Sequence, residues 1–386
     1  MNQAVTNFFT RKNIILPALI FITLFAGKDI INQHLESAFN HHHIESDAKI
    51  QFFIHKYHDS ELFEDDFIRD YVVNAKVTLG WGWIYKINSY FSDSFYWLTK
   101  LIPYILYLIT LVSITWLSYK TSGKDAIVAW ASFTIGFLSV IFIDRMVGGF
   151  ARSFAFPIIS LFLISLALGK IYLAALITVL GALFYPPIPV ICGIMLAIYL
   201  ALNEPQISYK RKFFILATTA LLCFLALLPI YLGGFQYGER LHLVDDAFDY
   251  VELTQRHVMS IYSFIYTSNF LKSFVFYSYF ALTGISKNSL YFGDYLVPVK
   301  STIDILLFIS FTLALTIFIF KYFPYGKYSS NSRSNYSKTL IYLILTALIT
   351  YYLSLIFLPY FYDPERYLRY TIPIFFIIIF PLILRH

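Results

Sequence analysis

Long apolar runs separated by short polar interruptions set the rhythm of this chain. Runs near residues 14–27, 99–118, 126–143, 213–232, 301–320, 339–358 and 370–384 are bounded by charged or turn-forming residues. Most approach the roughly 20 apolar residues that carry a helix across a hydrocarbon core. Between 154 and 203 the apolar character hardly lapses, and two or three spans fit. Breaks at Gly169-Lys170 and at Tyr185-Pro186-Pro187 favour three short ones, 154–169, 171–185 and 187–203, because a proline pair stops or kinks a helix. Three crossings also keep Lys210-Arg211-Lys212 on the side where basic turns belong. The pattern predicts an all-α, polytopic transmembrane helix bundle of about ten spans, one domain over 1–386. The first run is read as an uncleaved span, since Lys28-Asp29-Ile30 after it lacks a small-residue cleavage site.

Two long polar stretches interrupt the pattern, 28–95 and 233–300, read as the first and second extracytoplasmic loops. In the first, Ser46 is expected as the N-cap and Asp47 in the opening turn of an amphipathic helix, where the helix dipole favours an anion. Ile50, Phe53, Ile54 and Tyr57 then share one apolar face. A second helix is expected to start at Asp59-Ser60, setting Phe63, Phe67 and Tyr71 on one side and Arg69 within reach of Asp65 or Asp66. Such a pair would lie on a membrane surface and present carboxylates to whatever binds there.

Charge divides this sequence into two faces. Thirteen basic residues fall on the side of the short turns, from Arg11 and Lys12 through Lys120, Lys170 and Lys210 to Arg385, opposed only by Asp125 and Glu204. The first long loop sums to −5 and the second to −1. The positive-inside rule therefore puts both termini in the cytoplasm and the acidic loops outside. With 58% hydrophobic and 13% charged residues, the chain leaves no room for a separate soluble domain. Aromatic residues, 20% of the chain, are expected mainly at lipid and interfacial positions. Cys192 and Cys223 both sit in apolar runs, which excludes a disulfide framework or a thiolate metal site in the loops. No phosphate-binding glycine loop, nucleophile elbow or nucleic-acid patch is present.

Four polar groups converge on the outer side: the acidic first loop; Asp144-Arg145 with Arg152-Ser153; Arg240, His242, Asp245, Asp246, Arg256 and His257; and Arg366 with Arg369. Arginines at membrane depth are costly enough to need a reason. A helix start beside an arginine suits a phosphate, whereas snorkelling, or pairing with Asp363 and Glu365, is the plainer account of Arg366 and Arg369. Asp65 and Asp66 are candidate oxygen ligands for a hard divalent metal, Mg²⁺ or Mn²⁺, or else a solvated acidic face. Six histidines in the first loop lack fixed ligand spacing and are better read as exposed. Trp81 and Trp83 are candidates to stack on a sugar or to join an interfacial belt.

The segments Asp47, LFEDDFIRDY (62–71), RSFAFP (152–157), FYPP (184–187) and DPERYLRYTIP (363–373) together resemble the GT-C class of membrane glycosyltransferases. The resemblance is nearest to a bacterial branch without the large soluble domain that follows the bundle in better-known members. It implies a bacterial inner-membrane protein that moves a sugar from a polyprenyl-phosphate carrier to an acceptor on the extracytoplasmic side. It implies Asp47 as general base, with Asp29 the rival match, and Asp66 as a second catalytic carboxylate. Arg145, Arg152, Arg366 and Arg369 would then grip the leaving phosphate. The rival readings are a transporter or flippase for a lipid-linked sugar, a polymerase or ligase of surface polysaccharide, and a non-catalytic accessory subunit. The near absence of charge inside the spans argues against transport.

Overall fold

The computed structural model describes residues 53–57, 59, 61–62, 64–92, 95–234, 332–356 and 365–385, with isolated helical positions between 18 and 28. Every regular element among them is helical. In order they are α1 (Phe67–Ala75), α2 (Leu79–Asn88), α3 (Tyr96–Thr121), α4 (Ala126–Leu138), α5 (Val140–Met146), α6 (Ala155–Ala167), α7 (Ile171–Phe184), α8 (Pro187–Asn203), α9 (Tyr209–Gly234), α10 (Ser332–Ile356) and α11 (Glu365–Arg385). Four helices are long and apolar enough to cross a membrane: α3, α9, α10 and α11. Shorter apolar helices, among them α4, α7 and α8, pack between them.

The three-helix reading of 154–203 matches α6, α7 and α8, at 13, 14 and 17 residues. At 1.5 Å per residue these reach only about 20–25 Å, less than the roughly 30 Å of a hydrocarbon core. Each break has a visible cause. Gly169 has φ of 70°, a left-handed conformation that glycine adopts without a Cβ clash. It lets Gly169 N–H and Lys170 N–H bond back to Leu166 and Ser165 carbonyls, closing α6. At the other break Tyr185 is extended, as the residue before a proline prefers, and Pro187 opens α8.

Two sequence expectations shift. The run 126–143 is not one helix: it stops at Leu138, Ser139 is extended, and α5 starts afresh. The Tyr107 hydroxyl donates to the Phe137 carbonyl at 2.5 Å, satisfying an acceptor that the break leaves without a helical donor. The second amphipathic helix begins at Phe67, not at Asp59, and Phe67 is exposed while Val72 is buried. Asp66 is its N-cap and takes the Arg69 N–H at 2.8 Å, so cap chemistry overrode the apolar spacing. Arg69 then pairs with its neighbour Asp70 at 2.6 Å rather than with Asp65 or Asp66.

The centre of the bundle is α11, buried through most of its length against α3, α4, α6 and α10. Buried hydroxyls tie helices together: Ser118 to Ser132 at 2.7 Å, and Thr23 to Thr134 at 2.6 Å. On the flank, α7 packs on α6, α8 and α9, and most of α9 stays exposed.

The helices sort their loops into two ends. At one end Arg385 pairs with Asp125 at 2.9 Å, Arg211 donates to the Tyr172 hydroxyl, and Tyr342 donates to Asn203. Lys120, Lys124, Lys170, Lys210, Lys212 and Lys338 lie on the same helix ends and turns. At the other end α2 crosses the ends of α7 and the turn before α6, and α11 begins. Among the described residues, the basic turns grouped by charge fall at one end of the bundle, whereas Arg11, Lys12, Lys321 and Lys327 lie outside those residues.

Candidate functional site

The glycine turn between α5 and α6 is the foundation of the second end. Gly148 and Gly149 both have positive φ, 79° and 63°, which reverses the chain between Arg145 and Arg152. The turn is clamped twice. The Ser153 hydroxyl reaches the Arg145 and Met146 carbonyls at 3.2 Å from within. From above, the Trp81 indole donates to the Gly149 carbonyl at 3.0 Å, and the Tyr85 hydroxyl donates to the same oxygen at 3.3 Å. Burial pushes the Tyr85 phenol far up, so it stays a donor at any physiological pH. Arg152 leaves the turn with its guanidinium over the Phe150 ring at 5.2 Å. Phe154 stacks on Phe184, which binds the turn to the end of α7.

The FYPP and RYLRY segments meet beside this turn. Because Pro186 forces Tyr185 out of the helix, its ring swings to α11, where Arg366 donates to its hydroxyl at 3.2 Å. Tyr370 lies one helical turn after Arg366 on the same face. It is fully buried, meets Tyr185 edge-on at 5.6 Å and shares a hydrogen bond with it. Arg145 and Arg369 both act electrostatically on Tyr370. Phe156, at 5.3 Å from Tyr370, closes the apolar side. Arg145, Arg366 and Arg369 thus come from two segments about 220 residues apart and converge on one tyrosine pair, with Arg152 on the adjoining turn.

All four arginines are partly buried, and the Nε atoms of Arg145 and Arg152 are fully so, although both residues have further interactions. The starts of α6, α8 and α11 open at this same end, and helix starts carry partial positive charge. Planar guanidinia, phenol groups and helix starts are together the chemistry that suits a phosphate-type anion.

The acidic loop is placed differently from expectation. Asp47 and its rival Asp29 lie outside the described residues, as do the charged residues of the second loop. Phe53 and Ile54 are fully buried and Tyr57 half-buried, so the described part of the first apolar face packs inward. Burial, with Arg69 adding repulsion, lowers the pKa of Lys56 beside this face. His55 sets its ring edge-on against Phe95. Asp65 is exposed with a left-handed φ of 56°, and Asp66 spends one oxygen on its helix cap. No group of three or more His, Cys, Asp or Glu lies together among the described residues. Asp65 and Asp66 by themselves would supply only part of the oxygen shell of a hard divalent ion.

The two tryptophans part company. Trp81 is 2% exposed, with Phe53 and Tyr85 against its ring, so it serves as a strut and has no face open to a sugar. Trp83 is 66% exposed. Sequence reasoning used Tyr185 and Tyr370 only within the FYPP and DPERYLRYTIP segments, gave them no role at the site, and did not single out Tyr85 or the glycine turn. The i, i+4 spacing of Arg366 and Tyr370 and the tyrosine before a proline pair were the available signals. Comparison of the chain with protein-family models, with curated proteins and with solved structures gives no match.

Proposed function

We propose that the chain is a ten-span membrane glycosyltransferase of GT-C type that transfers a sugar from a polyprenyl-phosphate carrier to an acceptor on the extracytoplasmic side. One observation carries this reading: Arg145, Arg366 and Arg369 gather around Tyr185 and Tyr370, with Arg152 on the adjoining glycine turn, at the bundle end opposite the lysine-rich turns. Basic turns belong in the cytoplasm, which puts both termini inside and the arginine site at the outer leaflet of a bacterial inner membrane.

In this reading the carrier phosphate docks on the arginines and its polyprenyl tail stays in lipid. The acceptor hydroxyl attacks the anomeric carbon, the bond from that carbon to the phosphate oxygen breaks, and the electron pair leaves with the phosphate. The arginines stabilise the charge that accumulates there. Asp47 takes the acceptor proton, a role that would suit a residue in the opening turn of the amphipathic helix expected from the sequence. A divalent ion near Asp65 and Asp66 belongs to the same reading, but no step requires it.

The test is sugar transfer by the purified full chain, measured with radiolabelled polyprenyl-phosphate donors. Asp47→Asn keeps size and removes the proton acceptor, so turnover should fall by roughly 100-fold or more while donor binding survives. Asp93→Asn, in the same loop, should transfer like wild type. Full transfer by Asp47→Asn removes the general-base assignment. A wild type that binds lipid phosphate yet transfers none of the sugars offered points to the accessory or transport readings.

A further inference from the structure

Helix α2 has two apolar faces, and among the described residues only one of them is buried. Trp81, Tyr85 and Asn88, at i, i+4 and i+7, are buried against the bundle. Leu79, Trp83 and Ile87 follow the opposite face at steps of four, continued by Tyr90 and Phe91 in the turn after the helix. Trp83 is 66%, Ile87 51% and Phe91 82% exposed. A surface patch of this kind on a polar loop requires an occupant.

The surroundings identify it. The base of α2 is fixed to the end of α7: the Thr78 hydroxyl donates to the Phe184 carbonyl at 2.8 Å, and the Gly80 backbone rests on Leu183. Below that contact α7 turns Leu173, Leu176 and Leu180 outward, and α9 beside it exposes Leu221, Leu225 and Leu232. A surface of leucines along apolar helices of this length belongs in lipid. The outer stripe of α2 is exposed just beyond the end of α7 to which the base of α2 is fixed. Lys76 and Lys86 are exposed beside the stripe, the arrangement in which amine heads reach lipid phosphates while apolar neighbours enter the acyl boundary. Tryptophan and tyrosine are the residues that favour this depth.

We propose that α2 is a lipid-inserted strap: its Leu79–Trp83–Ile87 face seats in the headgroup–acyl boundary of the membrane, while its Trp81–Tyr85 face holds the glycine turn between Arg145 and Arg152. The strap moors that turn at the level of headgroup phosphates. The lipid contact stands whether or not the chain transfers sugar, and its test needs no activity.

The experiment uses the full chain in vesicles of phosphatidylethanolamine and phosphatidylglycerol, with an environment-sensitive fluorophore on Ile87→Cys. Cys192 and Cys223 are buried and stay unlabelled. A second label on Glu64→Cys, in the exposed turn before α1, reports water. The expected result is blue-shifted emission at position 87, quenched several-fold more strongly by spin-labelled lipid than at position 64, and several-fold less by aqueous iodide. Equal iodide quenching at the two positions overturns the proposal. So does a label at 87 that is shielded from iodide but insensitive to spin-labelled lipid, which assigns the face to a second copy of the chain.

Discussion

At the residue scale, arginines at the mouth of a bundle have two fates, snorkelling to water or holding an anion. Arg366 does not simply snorkel: it donates to Tyr185, whose position is set by the Pro186 that follows. Arg152 lies over Phe150 in a turn that two positive-φ glycines permit and the Trp81 indole clamps. Preorganised donors of this kind lose little entropy when an anion arrives. Arg152→Ala or Arg366→Ala should therefore weaken binding of a polyprenyl phosphate by about 1.5–3 kcal/mol, the usual worth of a charge-assisted hydrogen bond. Calorimetric titration of the purified chain measures it, and unchanged affinity in both variants returns these residues to the snorkelling account. Arg366→Lys should recover only part of the loss, because an ammonium cannot present the planar fork of a guanidinium.

At the element scale, the end of α11 is fastened to the start of α4. The Asp125 carboxylate caps α4 through the Ile127 N–H at 2.9 Å and accepts from Arg385 at 2.9 Å. Burial works to raise its pKa, but the Arg385 guanidinium and the backbone donors outweigh this and hold it below the usual carboxylate value. A carboxylate whose pKa is lowered on folding adds stability above its unfolded pKa, near 3.9, and loses it as pH falls through the folded value. Wild type should therefore lose thermal stability on acidification toward pH 3 more steeply than Asp125→Asn, which already lacks the charge. Parallel melting curves for the two proteins in detergent, between about pH 6 and pH 3, would show that the pair contributes nothing. The pair is partly exposed, so added salt should shrink the difference.

At the scale of the whole molecule, sidedness is the first question. Glu64 lies by the end that holds the arginine site, and Gln206 lies in the turn between α8 and α9 at the lysine-rich end. In intact spheroplasts a cysteine at 64 should react with an impermeant maleimide, and one at 206 should react only after permeabilisation. The reverse pattern inverts the orientation and moves the arginine site to the cytoplasmic leaflet. Much of this architecture was legible beforehand. Among the described residues, the positions of α3, α9, α10 and α11 follow from apolar run length, the α6–α7–α8 breaks from Gly169 and the proline pair, and the two ends from the placement of lysines and arginines. These are local properties, each decided by solvation or backbone sterics over a few residues. Tertiary contact decided the rest. The run 126–143 looked uniform, yet it breaks at Ser139, where Tyr107 of another helix supplies a donor for the freed carbonyl. Trp81 and Trp83 are two residues apart and chemically alike. One became a buried strut and the other an exposed anchor because only packing chooses which face of α2 turns inward. The arginine cluster exists for the same reason: no sequence interval connects Arg145 to Arg369, and helix packing sets both close enough to act electrostatically on Tyr370.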